Sequence, residues 1–389
     1  MNDRVTMADV AKRAGVHVTT VSMSLRNHPS IPIGTRQRLQ QLAAQMGYQR
    51  DPSLSALIAY RNRTRQGKNK TILAYVTHWN SRWGWKDQPA HKAFYDGAVG
   101  KASLLGFQVE HFWLGEPDLT HQRMSSILYS RGITGLIVAS HRQESEAALD
   151  FDWSQFSAVK IDFCPREQQL HFVTNDQRTI VGLGMQRALA AGYRRIGFVL
   201  PAWWDETTEL AWSAGFLALQ QKLPPEARIP ILPYSMDLPV VPATPSGPAT
   251  LVPRAALAEW IRLHRPEVII GYSALVLPRL EELGIAVPRD VAFVDIFLEK
   301  PEGQIAGVHQ NCHRVGEVAV EILVGQLQQH VYGMPAIPTA TFVEGTWHDG
   351  ASLPRRQESE ETRPSNSAAD QTAPQAKTRF FTRASKRAH

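Results

Sequence analysis

Residues 5–25 read VTMADVAKRAGVHVTTVSMSL. Within this run Ala11, Gly15 and Val21 have the spacing of a helix-turn-helix: a small residue where two helices touch, a glycine in the turn and an apolar residue in the core. In such a motif the second helix enters the major groove of DNA. The sequence therefore predicts an all-α, DNA-binding head at the start of the chain.

Local chemistry predicts the limits of the helices in this head. Thr6, followed three residues later by Asp9, resembles a capping box and opens the first helix. Gly15 ends that helix, because glycine adopts the left-handed conformation at low cost. We expect the second helix over Val18–Leu25 and the third over Thr35–Met46, where apolar residues recur at helical spacing.

The distribution of charge supports a nucleic-acid partner for the head alone. Residues 1–70 hold 12 basic and three acidic residues, whereas the whole chain has a net charge of only +6. Residues 71–350 hold 22 basic and 29 acidic residues. Basic charge concentrated in one small domain is typical of proteins that contact DNA phosphates.

These residues carry a family resemblance. The run Val5–Leu25, then TRQRL at 35–39 and MGY at 46–48, resembles the DNA-binding head of the lactose-repressor (LacI/GalR) family of bacterial transcription regulators. The family pattern is roughly V-T-x-x-D-V-A-x-x-A-G-V-S-x-x-T-V-S-R-x-L-N, and most of its fixed positions are met. The resemblance implies a homodimer that reads a pseudo-palindromic operator, with an effector-binding core behind the head.

Two departures from the family pattern fall on the expected DNA-facing helix. The usual Ser at its start is His17, a weaker N-cap, and the Arg that commonly follows Val-Ser is Met23. Apolar surface at Val18 and Met23 favours methyl contacts with thymine over bidentate contacts with guanine. The residues expected at the DNA are Thr6, His17, Val18, Thr19, Thr20, Ser22, Met23, Arg26, Asn27, Tyr48, Leu54 and Leu57.

A hinge helix is expected at about residues 51–60, with Asp51 as its N-cap and Pro52 in its first turn. In the family this segment folds on DNA and places a leucine in the minor groove. Counting from Tyr48 puts Leu57 at that position, where an apolar wedge kinks the duplex. The alternative is an ordinary amphipathic connector. Residues 61–70 follow as a basic linker.

Residues 71–349 alternate short apolar strands with helices, which predicts parallel α/β sheets with right-handed crossovers. We expect a periplasmic-binding-protein-like core of two lobes with a ligand in the cleft between them. The N-lobe is expected at about 71–173 plus 309–334, and the C-lobe at about 174–308 plus 335–349. The predicted strands are 72–76, 108–112, 135–139, 159–162, 195–200, 268–271 and 291–294, and the predicted helices 91–105, 178–191 and 314–328.

The expected effector site departs from the family by exchanging polar groups for aromatic ones. Trp212, Tyr272 and Phe297 stand where relatives carry Arg, Asn or Asp, whereas Asp176 and Gln310 match the family. Aromatic faces stack on sugar rings or planar ligands, so a carbohydrate effector is expected. The alternatives are that the tryptophans fill a lobe or dimer interface, or that the effector site is lost. The expected effector-binding residues are Trp79, Trp83, Trp85, Asp176, Trp212, Tyr272, Phe297 and Gln310.

Other chemistries find no support in the sequence. The histidines lack paired ligand spacing, and the chain has no phosphate loop, nucleophile elbow or paired catalytic carboxylates. We therefore expect no metal, no cofactor and no enzymatic activity. With two cysteines in unrelated contexts and no long apolar run, a bacterial cytoplasmic, nucleoid-associated protein is expected, without a membrane partner.

Two segments stand apart from this plan. Residues 222–253 hold nine prolines and predict an extended surface excursion, and polar residues 350–389 predict a disordered tail. The combined prediction is a dimeric, effector-controlled transcription regulator, expected to be a repressor. The rival is a sugar-binding protein or enzyme on the same two-lobed fold, with a vestigial head.

Overall fold

The computed structural model describes residues 5–25, 30–48, 71–141, 148–234 and 252–356. The predicted hinge helix, with Leu54 and Leu57, lies outside these residues, as do Arg26, Asn27, most of the proline-rich segment and the tail from residue 357 onward.

The head forms three helices: α1 (Met7–Ala14), α2 (Val18–Leu25) and α3 (Ile33–Gln45). The capping box at Thr6 is confirmed, since its hydroxyl and the Asp9 carboxylate each bond the other's backbone amide. Gly15 takes a left-handed φ of 66° at the end of α1. The small core under the three helices is formed by Val10, Ala11, Val21, Leu39 and Ala43.

The first lobe is a six-stranded parallel sheet covered by helices. Its strand order is β11-β5-β4-β3-β1-β2. The strands are β1 (Thr71–His78), β2 (Phe107–Trp113), β3 (Gly135–His141), β4 (Ser157–Ile161), β5 (His171–Asn175) and β11 (Ala340–Val343). The helices are α4 (Pro89–Leu104), α5 (His121–Ser130) and α11 (Cys312–Gln329), with 3-10 turns at Gly84–Asp87 and Trp153–Gln155.

Two glycines let α4 and α11 pack in backbone contact. A Cβ atom built on Gly97 would lie 1.9 Å from the carbonyl oxygen of His313, and one on Gly316 would lie 1.9 Å from that of Phe94. Any larger residue at either position would force the helices apart. This pairing fixes α11, which follows β10 in sequence, onto the first lobe.

The second lobe is a six-stranded mixed sheet of order β12-β10-β9-β8-β6-β7, antiparallel only between β10 and β12. Its strands are β6 (Ile196–Pro201), β7 (Leu232–Tyr234), β8 (Val268–Gly271), β9 (Ala292–Asp295), β10 (Gly307–His309) and β12 (Thr346–His348). Its helices are α6 (Gln177–Ala190), α7 (Ala202–Thr207), α8 (Ala211–Gln220), α9 (Arg254–His264) and α10 (Ser273–Glu282), with a 3-10 turn at Pro225–Ala227.

The fold class is as predicted, but two boundaries move. The expected C-lobe segment 335–349 is divided, because β11 pairs with β5 in the first sheet and only β12 joins the second. The ordered core also continues past residue 349. Ser352 is buried and its hydroxyl bonds the backbone of Phe293 and Ala306, which holds the segment against the second lobe.

None of the helices in the described ranges is long and apolar enough to cross a membrane.

Candidate DNA interface and ligand cleft

The outer face of α2 carries the residues expected at DNA. His17, Val18 and Thr19 are exposed, while Thr20, Ser22 and Met23 are half-buried. The inner face holds Val21 and Ser24, both fully buried. Of the residues on other elements, Thr6 is exposed and engaged in its capping box, and Tyr48 is half-buried beside the head core.

His17 caps α2 through its side chain. Its ring Nδ1 accepts a hydrogen bond from the backbone N–H of Thr19 at 3.3 Å and lies 2.8 Å from the Thr19 hydroxyl. The backbone carbonyl of His17 accepts from Thr20 and Val21. An imidazole nitrogen thus takes the role that a serine oxygen has in the family pattern.

The carboxyl ends of the two sheets face each other. The loop after β4 reaches α7, the helix after β6, where Arg166 donates to the backbone carbonyl of Glu206. At the end of β5, the Asn175 side chain donates to the backbone carbonyl of Gln310, which follows β10. Ligands of open α/β sheets bind at this edge, so the cleft is the candidate effector site.

The first-lobe wall of the cleft is polar. Ser140, at the end of β3, and Asp162, just after β4, both adopt left-handed backbone conformations (φ 55° and 70°). The Ser140 hydroxyl lies 3.1 Å from His91 Nδ1, and the Asp162 carboxylate accepts from the Thr174 hydroxyl at 3.0 Å. Left-handed non-glycine residues cost energy and cluster at functional sites.

Histidines on this wall are uncharged at neutral pH. Burial lowers the pKa of His141 to about 3. It also lowers the pKa of His78 and of His91, and the Asp162 carboxylate opposes the shift of the His91 pKa. His141 donates from Nδ1 to the Ala139 carbonyl, which leaves its buried Nε2 without a partner. The wall therefore offers hydrogen-bonding groups without positive charge.

The second-lobe wall is aromatic. Ring centroids of Trp204, Tyr272 and Phe297 lie 5.0–5.7 Å apart, and the Tyr272 hydroxyl donates to Glu299 at 3.0 Å. Beneath these rings the buried Asp295 carboxylate accepts from the backbone amides of Ser273 and Phe297. Burial raises the pKa of Asp295 to about 6.

The structure separates the predicted tryptophans. Trp79 is half-buried and packs edge-on against His91, at the first-lobe wall. Trp83 is 46% exposed and lies under the Lys86 ammonium, 4.0 Å from its ring. Trp85 is fully buried against Tyr75 and Tyr95 and so belongs to the first-lobe core.

Three further residues that were expected to bind the effector instead lie in the second-lobe core or at the connections between the lobes. Trp212 is 3% exposed within the second-lobe core. Asp176 caps α6 by accepting from the Thr179 amide, and Gln310 donates to the Ile296 carbonyl. Both are buried at the lobe connections. None of the three presents an open surface in this conformation.

Sequence reasoning missed several residues of the cleft. Asp162, Ser140 and Asp295 lie at the ends of strands that the sequence predicts, so the ends of strands were the available signal. His91 and Trp204 are also not among the expected effector residues.

Two surface cavities lie away from these walls. One, of about 630 Å³, lies between α6 and α8, and the other, of about 580 Å³, lies beside residues 148–153 and 334–338. In the described ranges no group of three or more His, Cys, Asp or Glu side chains is arranged to hold a metal ion.

Comparison with known families matches both halves of the architecture. The family described as "Bacterial regulatory proteins, lacI family" matches residues 6–51, and "Periplasmic binding protein-like domain" matches residues 185–353. The head is thus a LacI-family helix-turn-helix domain, and it is joined to a periplasmic-binding-protein-like domain.

Solved structures of LacI-family regulators share this fold. The transcriptional regulator CelR in complex with cellobiose is 18% identical to this chain, with a TM-score of 0.51. The Lac repressor dimer bound to operator and the anti-inducer ONPF is 15% identical, with a TM-score of 0.52. Each comparison covers 90% of this chain and 100% of the other. A LacI-family transcriptional regulator protein from Rhizobium etli is 16% identical over 74% of this chain and 100% of its own, with 0.53. No curated protein matches the chain.

Proposed function

We propose that this protein is a homodimeric LacI-family repressor whose affinity for its operator is controlled by a neutral carbohydrate bound between the core lobes. The observation that carries the proposal is the pairing of a DNA-binding head with a cleft that has one polar and one aromatic wall. The head supplies the contact with DNA, and the cleft supplies a place where a ligand changes the relation of the lobes.

The chemistry of the walls supports a sugar-sized polyol. Trp79 on one side and Trp204, Tyr272 and Phe297 on the other offer apolar faces for stacking. Asp162 offers an acceptor for ligand hydroxyl groups, and charge-assisted hydrogen bonds of this kind are stronger than neutral ones. We assign effector contact to these five residues, and structural roles to Trp85, Asp176, Trp212 and Gln310.

The positions of the cationic groups argue against a phosphorylated sugar. The Lys160 ammonium is buried and donates to the carbonyls of Phe163 and Pro165, and Arg166 donates to Glu206. The neighbouring histidines are neutral, so these groups leave little positive charge for a phosphate.

DNA contact is assigned to His17, Val18, Thr19, Thr20, Ser22 and Met23 on α2, with Thr6 and Tyr48 flanking them. Arg26, Asn27, Leu54 and Leu57 remain predictions from the sequence. A ligand that closes or opens the lobes can change operator affinity only if it makes different contacts with the protein in the open and closed arrangements.

The test is selection of genomic DNA fragments by the intact protein, followed by gel-shift measurements at several salt concentrations. The proposal expects a pseudo-palindromic sequence bound at least 1,000-fold more tightly than random duplex, about the lower end for specific DNA-binding proteins. Absence of any sequence preference would contradict it and favour a binding protein or enzyme with a vestigial head.

A regulator without an effector is the second candidate. Trp212 favours it, because a buried indole fills a position where relatives carry an effector-binding arginine. Operator binding that responds to no member of a broad carbohydrate panel would support this candidate.

A further inference from the structure

The hydrogen bonds around His17 fix the position of its ring proton. A backbone amide can only donate, and the Thr19 amide points at Nδ1. Nδ1 must therefore carry a lone pair, and the Thr19 hydroxyl, 2.8 Å away, is oriented to donate to it as well. The proton of the neutral ring then sits on Nε2, the opposite nitrogen.

The same contacts fix the direction in which this proton points. With Nδ1 held against the first turn of α2, the ring cannot rotate freely, and Nε2–H faces away from the helix. His17 is exposed, and no described residue bonds its Nε2. The result is an oriented hydrogen-bond donor at the start of the helix.

Two nearby side chains of α2 lack a strong hydrogen-bonding group. Val18, the neighbour of His17, is 38% exposed and has no polar side-chain atom, and Met23 further along the helix has only a thioether. Operator DNA offers acceptors at its phosphate oxygens and at the purine N7, guanine O6 and thymine O4 atoms of the major groove.

We propose that His17 is a specificity-determining residue that donates its Nε2–H to an acceptor atom of operator DNA while its Nδ1 caps the recognition helix. The inference rests on the proposed DNA-binding function. It gives one side chain two roles on opposite ring nitrogens, and the two roles can be separated by substitution.

His17→Asn separates them, because the asparagine Oδ1 replaces Nδ1 as the cap acceptor, whereas its Nδ2–H donors sit on a shorter side chain and do not reach the position of Nε2–H. His17→Ala removes both. Fluorescence anisotropy would measure the affinity of each variant for the selected operator and for a random duplex, and hydrogen exchange of the α2 amides would report capping. We expect His17→Asn to keep amide protection and lose about three- to tenfold in operator affinity, as for one neutral hydrogen bond.

A panel of operators with single base-pair replacements identifies the acceptor. Contact with a base predicts that His17→Asn loses discrimination at one base pair only. Contact with a phosphate predicts an equal loss on every duplex, random sequence included. The first pattern supports the proposal. The second would show that His17 contributes to affinity but not to specificity, and it would overturn the proposal.

Nitrogen-15 NMR of the His17 ring tests the proposal without substitution. The expected result is the Nε2–H tautomer in the free protein, with the Nε2 proton shielded from exchange when operator binds. A proton on Nδ1, or operator affinity of His17→Asn equal to that of the unaltered protein, would overturn the proposal. Failure of the unaltered protein to select any DNA sequence would instead defeat the proposed function.

Discussion

Arg166 of the first lobe donates a hydrogen bond from its guanidinium Nη2 to the backbone carbonyl of Glu206 in the second lobe. Each side of this contact is held firmly in its own lobe. The Lys160 ammonium ties down the Arg166 loop through the carbonyls of Phe163 and Pro165. On the other side, the Leu210 amide donates to the Asp205 carbonyl and bends the chain back after α7. The contact therefore joins two preorganised surfaces across the cleft.

Replacing Arg166 by methionine should loosen the contact between the two lobes. Methionine keeps an unbranched stem but has no donor, and a hydrogen bond from a charged group contributes about 1.5–3 kcal/mol. We expect amide exchange in residues 202–210 to become at least about tenfold faster. Small-angle scattering should show a larger radius of gyration without ligand.

Glu206→Ala is the matched control for Arg166→Met. It removes the carboxylate but keeps the backbone carbonyl that accepts the hydrogen bond, so exchange in residues 202–210 should stay close to that of the unaltered protein. If Glu206→Ala loosened the segment as much as Arg166→Met, the contact would depend on carboxylate charge and not on the carbonyl.

Acid should destabilise the core through His141. Burial lowers the pKa of His141 in the folded protein to about 3 from an ordinary 6.5, so below pH 6.5 the unfolded chain binds the extra proton. As the pH falls, this group lowers the free energy of unfolding by up to about 1.4 kcal/mol per pH unit. His141→Phe should remove that slope between pH 6 and 4. All ten tryptophans lie in residues 79–347, so their fluorescence during urea unfolding reports the core alone. An unchanged slope would show that His141 is not buried as a neutral ring.

Asp295 should produce the opposite pH dependence. Its pKa is raised to about 6 by burial, so the folded core holds this proton at pH values where the unfolded chain, with a pKa of 3.8, has released it. Its contribution to stability is present below pH 4 and is lost as pH rises through 6, by about 3 kcal/mol in all. Compared with Asp295→Asn, the unaltered core should lose stability between pH 4 and 7 in urea titrations. A difference between the two proteins that stays constant with pH would contradict the assignment.

Trp212 should matter for stability and not for ligand contact. Trp212→Ala empties a buried volume and should cost about 3–5 kcal/mol of core stability. Trp212→Phe retains much of the apolar packing and should leave effector affinity within about twofold, whereas Trp204→Ala, on the aromatic wall, should weaken it by about 1 kcal/mol or more. Calorimetric titration with the effector checks this. Loss of binding in Trp212→Phe, with the core still stable, would place Trp212 in the effector site.

The head could be predicted from sequence nearly residue by residue because its signals are local. The Thr6–Asp9 capping box and Gly15 act within a few residues of chain, and α2 begins and ends where predicted. The apolar strands of both lobes were also recognisable, since continuous apolar runs are typical of buried parallel strands. The assignment of residues 335–349 to one lobe was wrong because β11 and β12 are only three or four residues long, too short for a periodic pattern.

The cleft was harder to predict because its residues meet only through the tertiary fold. Trp79, Trp83 and Trp85 have the same chemistry and nearly the same sequence position, yet one lies at the cleft wall, one under Lys86 and one in the core. Asp162 and His91 are 71 positions apart, and only the packing of α4 against the sheet brings them together.

The most direct test of a cleft that controls DNA binding is operator affinity measured with and without each member of a panel of neutral sugars and their phosphates. The unaltered protein and Asp162→Asn should first bind the selected operator equally well. The account predicts that a neutral sugar changes the operator Kd of the unaltered protein by about tenfold or more, the usual range for such coupling, that its phosphate has little effect, and that Asp162→Asn responds weakly. Equal responses from both proteins, or a stronger response to the phosphate, would contradict it.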